Sequence, residues 1–132
     1  MSQFTWQVRI YYEDTDAGGV VYHSNYLNFM ERARTEWLRH LDFEQTYIRD
    51  ELSVVFVVCS AKLDFKKPAK FNDLLTITSE VVKLGRGSFE VAQTITSDST
   101  ILVQGLVKVA CVNPQTFRPV AIPAPILQKI VI

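Results

Sequence analysis

The chain has 132 residues, of which 48% are hydrophobic and 21% charged, a composition that suits one domain with one core and excludes a disordered chain. Lysine and arginine number 14 and aspartate and glutamate 14, so the net charge is zero; a broad nucleic-acid footprint is excluded, but one local basic site for a phosphate is not. Met1 to Arg9 carries no apolar core of the kind a signal peptide needs, and no apolar run is long enough to span a membrane, so a cytoplasmic protein without an integral membrane segment is expected.

Phe4, Trp6, Val8, Ile10 and Tyr12 alternate and predict a first strand over Phe4 to Tyr12. Asp14 to Gly19 breaks it, with two successive glycines that accept backbone angles other residues resist. A long amphipathic helix follows, from about Ser24 to His40. Its apolar or small residues Tyr26, Met30, Ala33, Trp37 and Leu41 recur at spacings of three and four, and Leu27, Phe29 and Leu38 widen the face. Asp42 with Gln45 three residues on forms a capping-box pattern for a short helix through about Asp50. Val54 to Val58 is β-branched and aromatic, and Ala61, Leu63 and Phe65 alternate with Lys62, Asp64 and Lys66, which predicts a long strand with one wet face. Leu75, Ile77, Ser79 and Val81 mark a third strand, Gly85-Arg86-Gly87 a hairpin turn, and Phe89, Val91, Gln93 and Ile95 a fourth strand. Ile101 to Val112 is the fifth, and Pro125 opens a last short helix through Lys129. One strand, a long helix and an antiparallel meander of four make an α+β layer architecture. Apolar surface left over by the helix is covered most simply by another subunit. Cys59 and Cys111 lie in apolar runs and are expected to be buried free thiols.

Polar chemistry concentrates between Tyr11 and Asn25. Asp14 and Asp16 either cap a turn, which aspartate does well, or place a carboxylate beside the unpaired N–H groups at the start of the long helix. The second arrangement suits acyl transfer, because a carbonyl is polarised and attacked in one place. A calcium loop fails: counting Asp14 as position one puts Gly18 at five and Asn25 at twelve, where oxygen ligands are needed. His23 has no second His or Cys at ligand spacing, and His40 is at the far end of the helix, so no metal site is expected. Glu90 stands where a third dinucleotide-binding glycine belongs, and no G-x-S-x-G is present. Lys66, Lys67 and Lys70 cluster at a strand end, either as a solvated turn or as a phosphate site.

The run Y-E-D-T-D-A-G-G-V-V-Y-H-S-N-Y, its continuation E-R-A-R-T-E, and the stretches K-P-A-K-F-N-D-L-L and V-K-V-A-C-V-N-P closely resemble the hot-dog-fold acyl-CoA thioesterases. This is the 4-hydroxybenzoyl-CoA thioesterase-like family, and the nearest likeness is to its YbgC-type, Tol–Pal-associated branch. The resemblance covers nearly all of residues 1–132. It implies a five-stranded antiparallel sheet wrapped around one long central helix. It also implies edge-to-edge dimers, often paired into tetramers, with active sites at the subunit interface. The reaction implied is hydrolysis of acyl-CoA without metal or cofactor, coenzyme A being part of the substrate. Carried over by motif, Asp16 is the catalytic carboxylate, as nucleophile or general base, and the backbone N–H at His23 polarises the thioester carbonyl. Tyr12, Gly19, Tyr22 and Asn25 line the site with His23, and Glu31 matches a position that reaches the acyl group in a related enzyme. Arg86 matches one basic position of a hairpin that grips coenzyme A phosphates in a relative; here Gly85 and Gly87 flank it, which shifts part of that grip to Lys66 and Lys67. A reading from another class is a module that binds acyl-CoA or acyl carrier protein for envelope or phospholipid metabolism. Hydratase chemistry on the same fold is a third, which the motif around Asp16 does not favour.

Overall fold

The structure is a computed structural model and describes residues 3–130. Met1, Ser2, Val131 and Ile132, part of the expected domain, lie outside the described residues. The elements are β1 (Phe4–Arg9), a 3-10 turn (Tyr12–Asp14), α1 (His23–His40), α2 (Gln45–Glu51), β2 (Val55–Phe65), β3 (Leu74–Leu84), β4 (Ser88–Ser97), β5 (Thr100–Val112) and α3 (Ala124–Lys129). The five strands form one antiparallel sheet in the order β1-β3-β4-β5-β2, with α1 against it, the arrangement that the resemblance implies.

Period-two alternation fixes which side chains meet. Ile77 of β3 lies opposite Ile95 of β4, which lies opposite Val103 of β5; Val81, Val91 and Val107 form a second such row. All six are buried, each contributing on the order of 1.5–3 kcal/mol. Between these rows runs a different one, Ser79, Gln93, Gly105 and Leu63. It divides the interior into two apolar clusters, one with Tyr26, Phe29, Met30 and Ala33 of α1, the other with Leu38. A Cβ on Gly105 would fall 2.7 Å from Leu63 Cδ2 and 2.9 Å from Met30 Cε, so the bare glycine lets the helix settle onto the sheet. Gln93 is fully buried there, donating from Nε2 to the Met30 carbonyl (3.0 Å) and Ser79 Oγ (2.9 Å) and accepting from Arg34 (2.9 Å). A buried amide with this many partners pins the helix at mid-length.

Four expectations need correction. The first strand ends at Arg9, because Tyr12–Asp14 coils into the 3-10 turn. The last four strands are not a meander: only β3, β4 and β5 are, and β2 crosses to the far edge beside β5. As an edge strand it is open on both faces for most of its length, so Cys59 is exposed while Cys111 is buried, its thiol pushed up to about 11 by burial. Finally, Asp42 does not cap α2. It ends α1 in a left-handed conformation (φ 72°), its N–H donating to the Arg39 carbonyl (2.9 Å) and the Phe43 N–H to the Leu38 carbonyl (2.8 Å). Leu38 and Phe43 pack in the same cluster, completing a Schellman closure.

Because Asp42 adopts angles that glycine accepts without strain, Asp42→Gly is expected to stabilise the fold by about 0.5–1 kcal/mol in urea unfolding. A loss of stability would show that the carboxylate holds the turn.

Candidate functional site

The Asp14–Gly19 turn is built by its own carboxylates. Asp14 Oδ2 accepts from the Tyr11 N–H (2.9 Å), and Asn25 Nδ2 reaches back to the Asp14 carbonyl (3.2 Å) and Oδ1 (3.3 Å). Asp16 closes the tip of a small hairpin: its N–H donates to the Val20 carbonyl (2.8 Å) and its carbonyl accepts from Gly19 (3.0 Å). Gly19 sits at φ +79°, a conformation suited to glycine. The turn folds around the Asp16 side chain, whose Oδ1 accepts from Gly18 N–H (2.8 Å) and Val20 N–H (3.4 Å). Oδ2 has no partner among the described residues.

The hairpin runs straight into α1. Thr15 bridges Val21, and Val20 bridges Lys70, which sets the Asp16 arm one strand away from the 66–70 segment. Val21 N–H donates to the Ala69 carbonyl (2.9 Å), and Ala69 N–H to the buried Tyr26 hydroxyl (2.9 Å). Burial raises the Tyr26 phenol above its ordinary value, so it stays neutral in that bond. At the helix start, Tyr22 N–H donates to Asp14 and Asn25 N–H to Tyr22. No side chain caps α1 and no acidic residue stands in its first turn. The His23 and Ser24 amides are thus left without a partner among the described residues.

Beside these amides lies a cavity of about 180 Å³ lined by Val20, Val21, His23, Tyr26, Phe65, Lys66, Lys67 and Pro68. The His23 ring stacks on Phe65 at 4.4 Å, and Tyr26 tilts against the same ring at 5.6 Å. His23, Lys66 and Lys67 therefore meet at one opening, with the Asp16 hairpin forming its flank through Val20 and Val21. Asp16 itself is half-buried and outside the lining. Tyr12 is 76% exposed and stacks on Phe71 at 3.9 Å, away from this lining. Tyr22 is exposed, and Asn25 is a strut for Asp14.

Glu31 and Arg86 are not brought to this point by the same chain. Glu31 is eight residues beyond His23, roughly 12 Å along the axis, on another cavity. Arg86 follows the end of β3 that is remote from Lys70, roughly 30 Å of strand away. Phe65 and Tyr26 also line the opening, whereas the sequence pattern alone places these aromatics in strand and helix packing. The available signal was Phe65 standing next to Lys66 and Lys67 at a strand end. Among the described residues no group of three or more His, Cys, Asp or Glu could hold a metal ion.

The thioesterase-like superfamily profile matches residues 10–130. The chain belongs to this family. It is 45% identical over 120 residues to a Haemophilus influenzae protein named acyl-CoA thioesterase YbgC, covering 91% of this chain and 88% of that one. A Helicobacter pylori protein of the same name is 36% identical over 124 residues, covering 87% of this chain and 90% of its own. Among solved structures, a probable thioesterase from Bartonella henselae superposes with a TM-score of 0.89 at 34% identity, over 92% of this chain and all of that one. The family likeness thus lies with the YbgC-type branch, and the five-stranded sheet with its long helix is the hot-dog fold of these thioesterases.

Tyr26→Phe would leave the buried Ala69 N–H unpaired. The expected cost is about 1–3 kcal/mol in chemical denaturation, the penalty of an orphaned buried donor.

Proposed function

We propose that this chain is an acyl-CoA thioester hydrolase, releasing coenzyme A and a carboxylic acid. The observation that carries the reading is the pair of open amides at His23 and Ser24 beside a cavity whose flank is the Asp16 hairpin. The family membership and the names of relatives at 36–45% identity support the substrate class.

A thioester is already activated and has a good leaving group. Its carbonyl oxygen would accept from the His23 amide, with the positive end of α1 behind it; one such donor is worth about 3 kcal/mol in comparable sites. Asp16 then acts in one of two ways. As nucleophile, its free carboxylate oxygen bonds to the carbonyl carbon, the thiolate leaves, and water cleaves the resulting anhydride. As general base, it takes a proton from a water whose oxygen bonds to that carbon, and the thiol leaves with a proton. No step calls on a metal or cofactor. Lys66 and Lys67 at the opening suit the phosphates of coenzyme A.

The site is assigned to an interface. β2 is an unpaired 11-residue edge with Val58 and Phe65 exposed, the kind of edge a second copy covers by antiparallel pairing. A two-fold across β2 reverses the partner strand, so the partner's far end, which carries Arg86 and the Glu31 cavity, would face this copy's Phe65–Lys67 end. That arrangement reunites the residues that one chain separates, and a dimer of dimers is a further step on the same surface logic. We place the enzyme in the cytoplasm as one hot-dog domain, with a Tol–Pal or envelope-lipid role. Among the described residues no helix is long and apolar enough to cross a membrane. The lysines at the opening equally suit an acidic acyl carrier protein, so the binding-module reading is retained as the alternative outcome.

Asp16→Asn should lower turnover of an acyl-CoA by about 10²–10⁴-fold with an unchanged unfolding curve, as loss of a catalytic acid–base group does. Normal hydrolysis by the variant would remove Asp16 from the mechanism. Single turnover in ¹⁸O-water separates the two routes: label enters the Asp16 carboxylate only if it is the nucleophile. Lys66→Glu with Lys67→Glu should raise KM severalfold for acyl-CoA and leave an acyl thioester of N-acetylcysteamine, which has no phosphates, unaffected.

A further inference from the structure

A helix start ordinarily takes serine, threonine, aspartate or asparagine as its N-cap, and that side chain closes over the first free amides. At α1 the position is held by Tyr22, which makes no such bond. Two residues of the right chemistry stand close by, Asp14 and Asn25, and each is turned to the other.

The Asp14 carboxylate works backwards along the chain. Its Oδ2 accepts from the Tyr11 N–H (2.9 Å), which caps the 3-10 turn before the helix, and its Oδ1 accepts from Asn25 Nδ2 (3.3 Å). Asn25 is the third residue of α1, where the side chain of a capping box accepts from the N-cap N–H. Here it donates instead, to Oδ1 and to the Asp14 carbonyl (3.2 Å), and the Tyr22 N–H is taken by that same carbonyl (3.3 Å). Asp16 Oδ1 is engaged by Gly18 and Val20, and Glu13 is exposed. The His23 and Ser24 amides therefore stay open although the Asp14 carboxylate lies against the third residue of the helix. Holding an acid off a helix start forgoes the stabilisation that the cap and the dipole would give. Local rules are broken in this way where the groups have another use.

Asp14 and Asn25 also stand behind the site. With Trp6, Val8 and Arg32 they line a cavity of about 470 Å³ on the β1 side, and neither lines the His23 opening.

We propose that Asp14 and Asn25 are positioning residues: their clamp keeps the first two amides of α1 free of an internal cap, so that these amides can donate to a substrate oxygen. The use of the open amides rests on the hydrolysis reading. The clamp itself is a property of the free protein, so the two are measured apart.

The first measurement is amide hydrogen exchange at His23 and Ser24, read by NMR on the full-length protein. Both amides should exchange at nearly the unprotected rate in the wild type. Asn25→Ala frees Asp14 to turn to the helix start and should slow one or both by about 2- to 30-fold, the range that a helix cap supplies. Adding Asp14→Ala to Asn25→Ala should restore fast exchange. The second measurement is turnover of an acyl-CoA. In Asn25→Ala, kcat should fall by a similar factor with KM unchanged, and it should recover in the double variant. A strut that only supported the turn would instead lose further activity there. Should Asn25→Ala not fold, Asn25→Leu, of nearly the same shape, takes its place. Protected amides in the wild type, unchanged exchange in the single variant, slowed exchange that leaves kcat intact, or no recovery in the double variant each overturns the proposal. A wild type that releases no thiol from any acyl-CoA removes the hydrolysis reading, and the exchange rates still decide the clamp.

Discussion

The bond from the Ala69 amide to the Tyr26 hydroxyl is the joint on which the site depends. Ala69 is fully buried and spends both backbone groups at once, its N–H on α1 and its carbonyl on Val21 of the hairpin. Three segments distant in sequence are thereby fixed against one another: the Asp16 turn, the first turn of the helix and the lysine-bearing end after β2. A larger residue at Ala69 would force these apart. A solvent-exposed joint would let water compete for the bonds. The relation between the Asp16 turn and the first turn of α1 is therefore set at one dry residue, by a main-chain bond on one side and the Tyr26 hydroxyl on the other.

The other fixed point is the middle of α1. Gly105 gives the helix its closest approach to the sheet at Met30, and Gln93 holds the Met30 carbonyl from the sheet side. Together they set both the height and the rotation of the helix. Rotation matters because α1 has work on several faces. Tyr26 and Met30 point into the core, His23 reaches the β2 end, and Arg34 faces the cavity walled by Trp37 and Phe89. A helix held only by apolar contacts could slide or turn with little penalty; the buried amide removes that freedom.

How much of this was legible in the sequence varies with the kind of information each feature needs. The strand interiors were readable because period-two alternation reports which face a side chain takes, and Ile77, Ile95 and Val107 obey it. Alternation is silent on which strand lies beside which, so the crossing of β2 to the far edge was not. The exposure of Cys59 follows from that crossing, since an apolar run reads alike at an edge and in a centre. Asp42 was misplaced for another reason: the same residue favours a helix start and, through a left-handed turn, a helix end. A capping-box spacing cannot tell them apart. The polar run from Glu13 to Asn25 was legible as a turn feeding a helix because its two aspartates bond locally, Asp14 with Tyr11 and Asn25, Asp16 with Gly18 and Val20. The partnership of Tyr26 with Ala69, 43 positions away, left no local mark.

A single chain also leaves the chemistry divided. The helix start gathers His23, Lys66 and Lys67, while Arg86 sits at the opposite end of the same sheet and Glu31 lies midway along α1 on another cavity. Strand geometry makes this separation rigid: a paired antiparallel strand of 11 residues cannot fold back on itself. Any arrangement that uses both ends in one reaction must therefore come from a second copy. Of the two edge strands, β1 and β2, it is β2 whose exposed side chains include Val58 and Phe65. Phe65 is the ring on which His23 stacks, so the edge that would recruit a partner is also a wall of the site. Were a second copy paired along β2, assembly and chemistry would share one strand, and a change that weakened that pairing would disturb the His23 opening before the core.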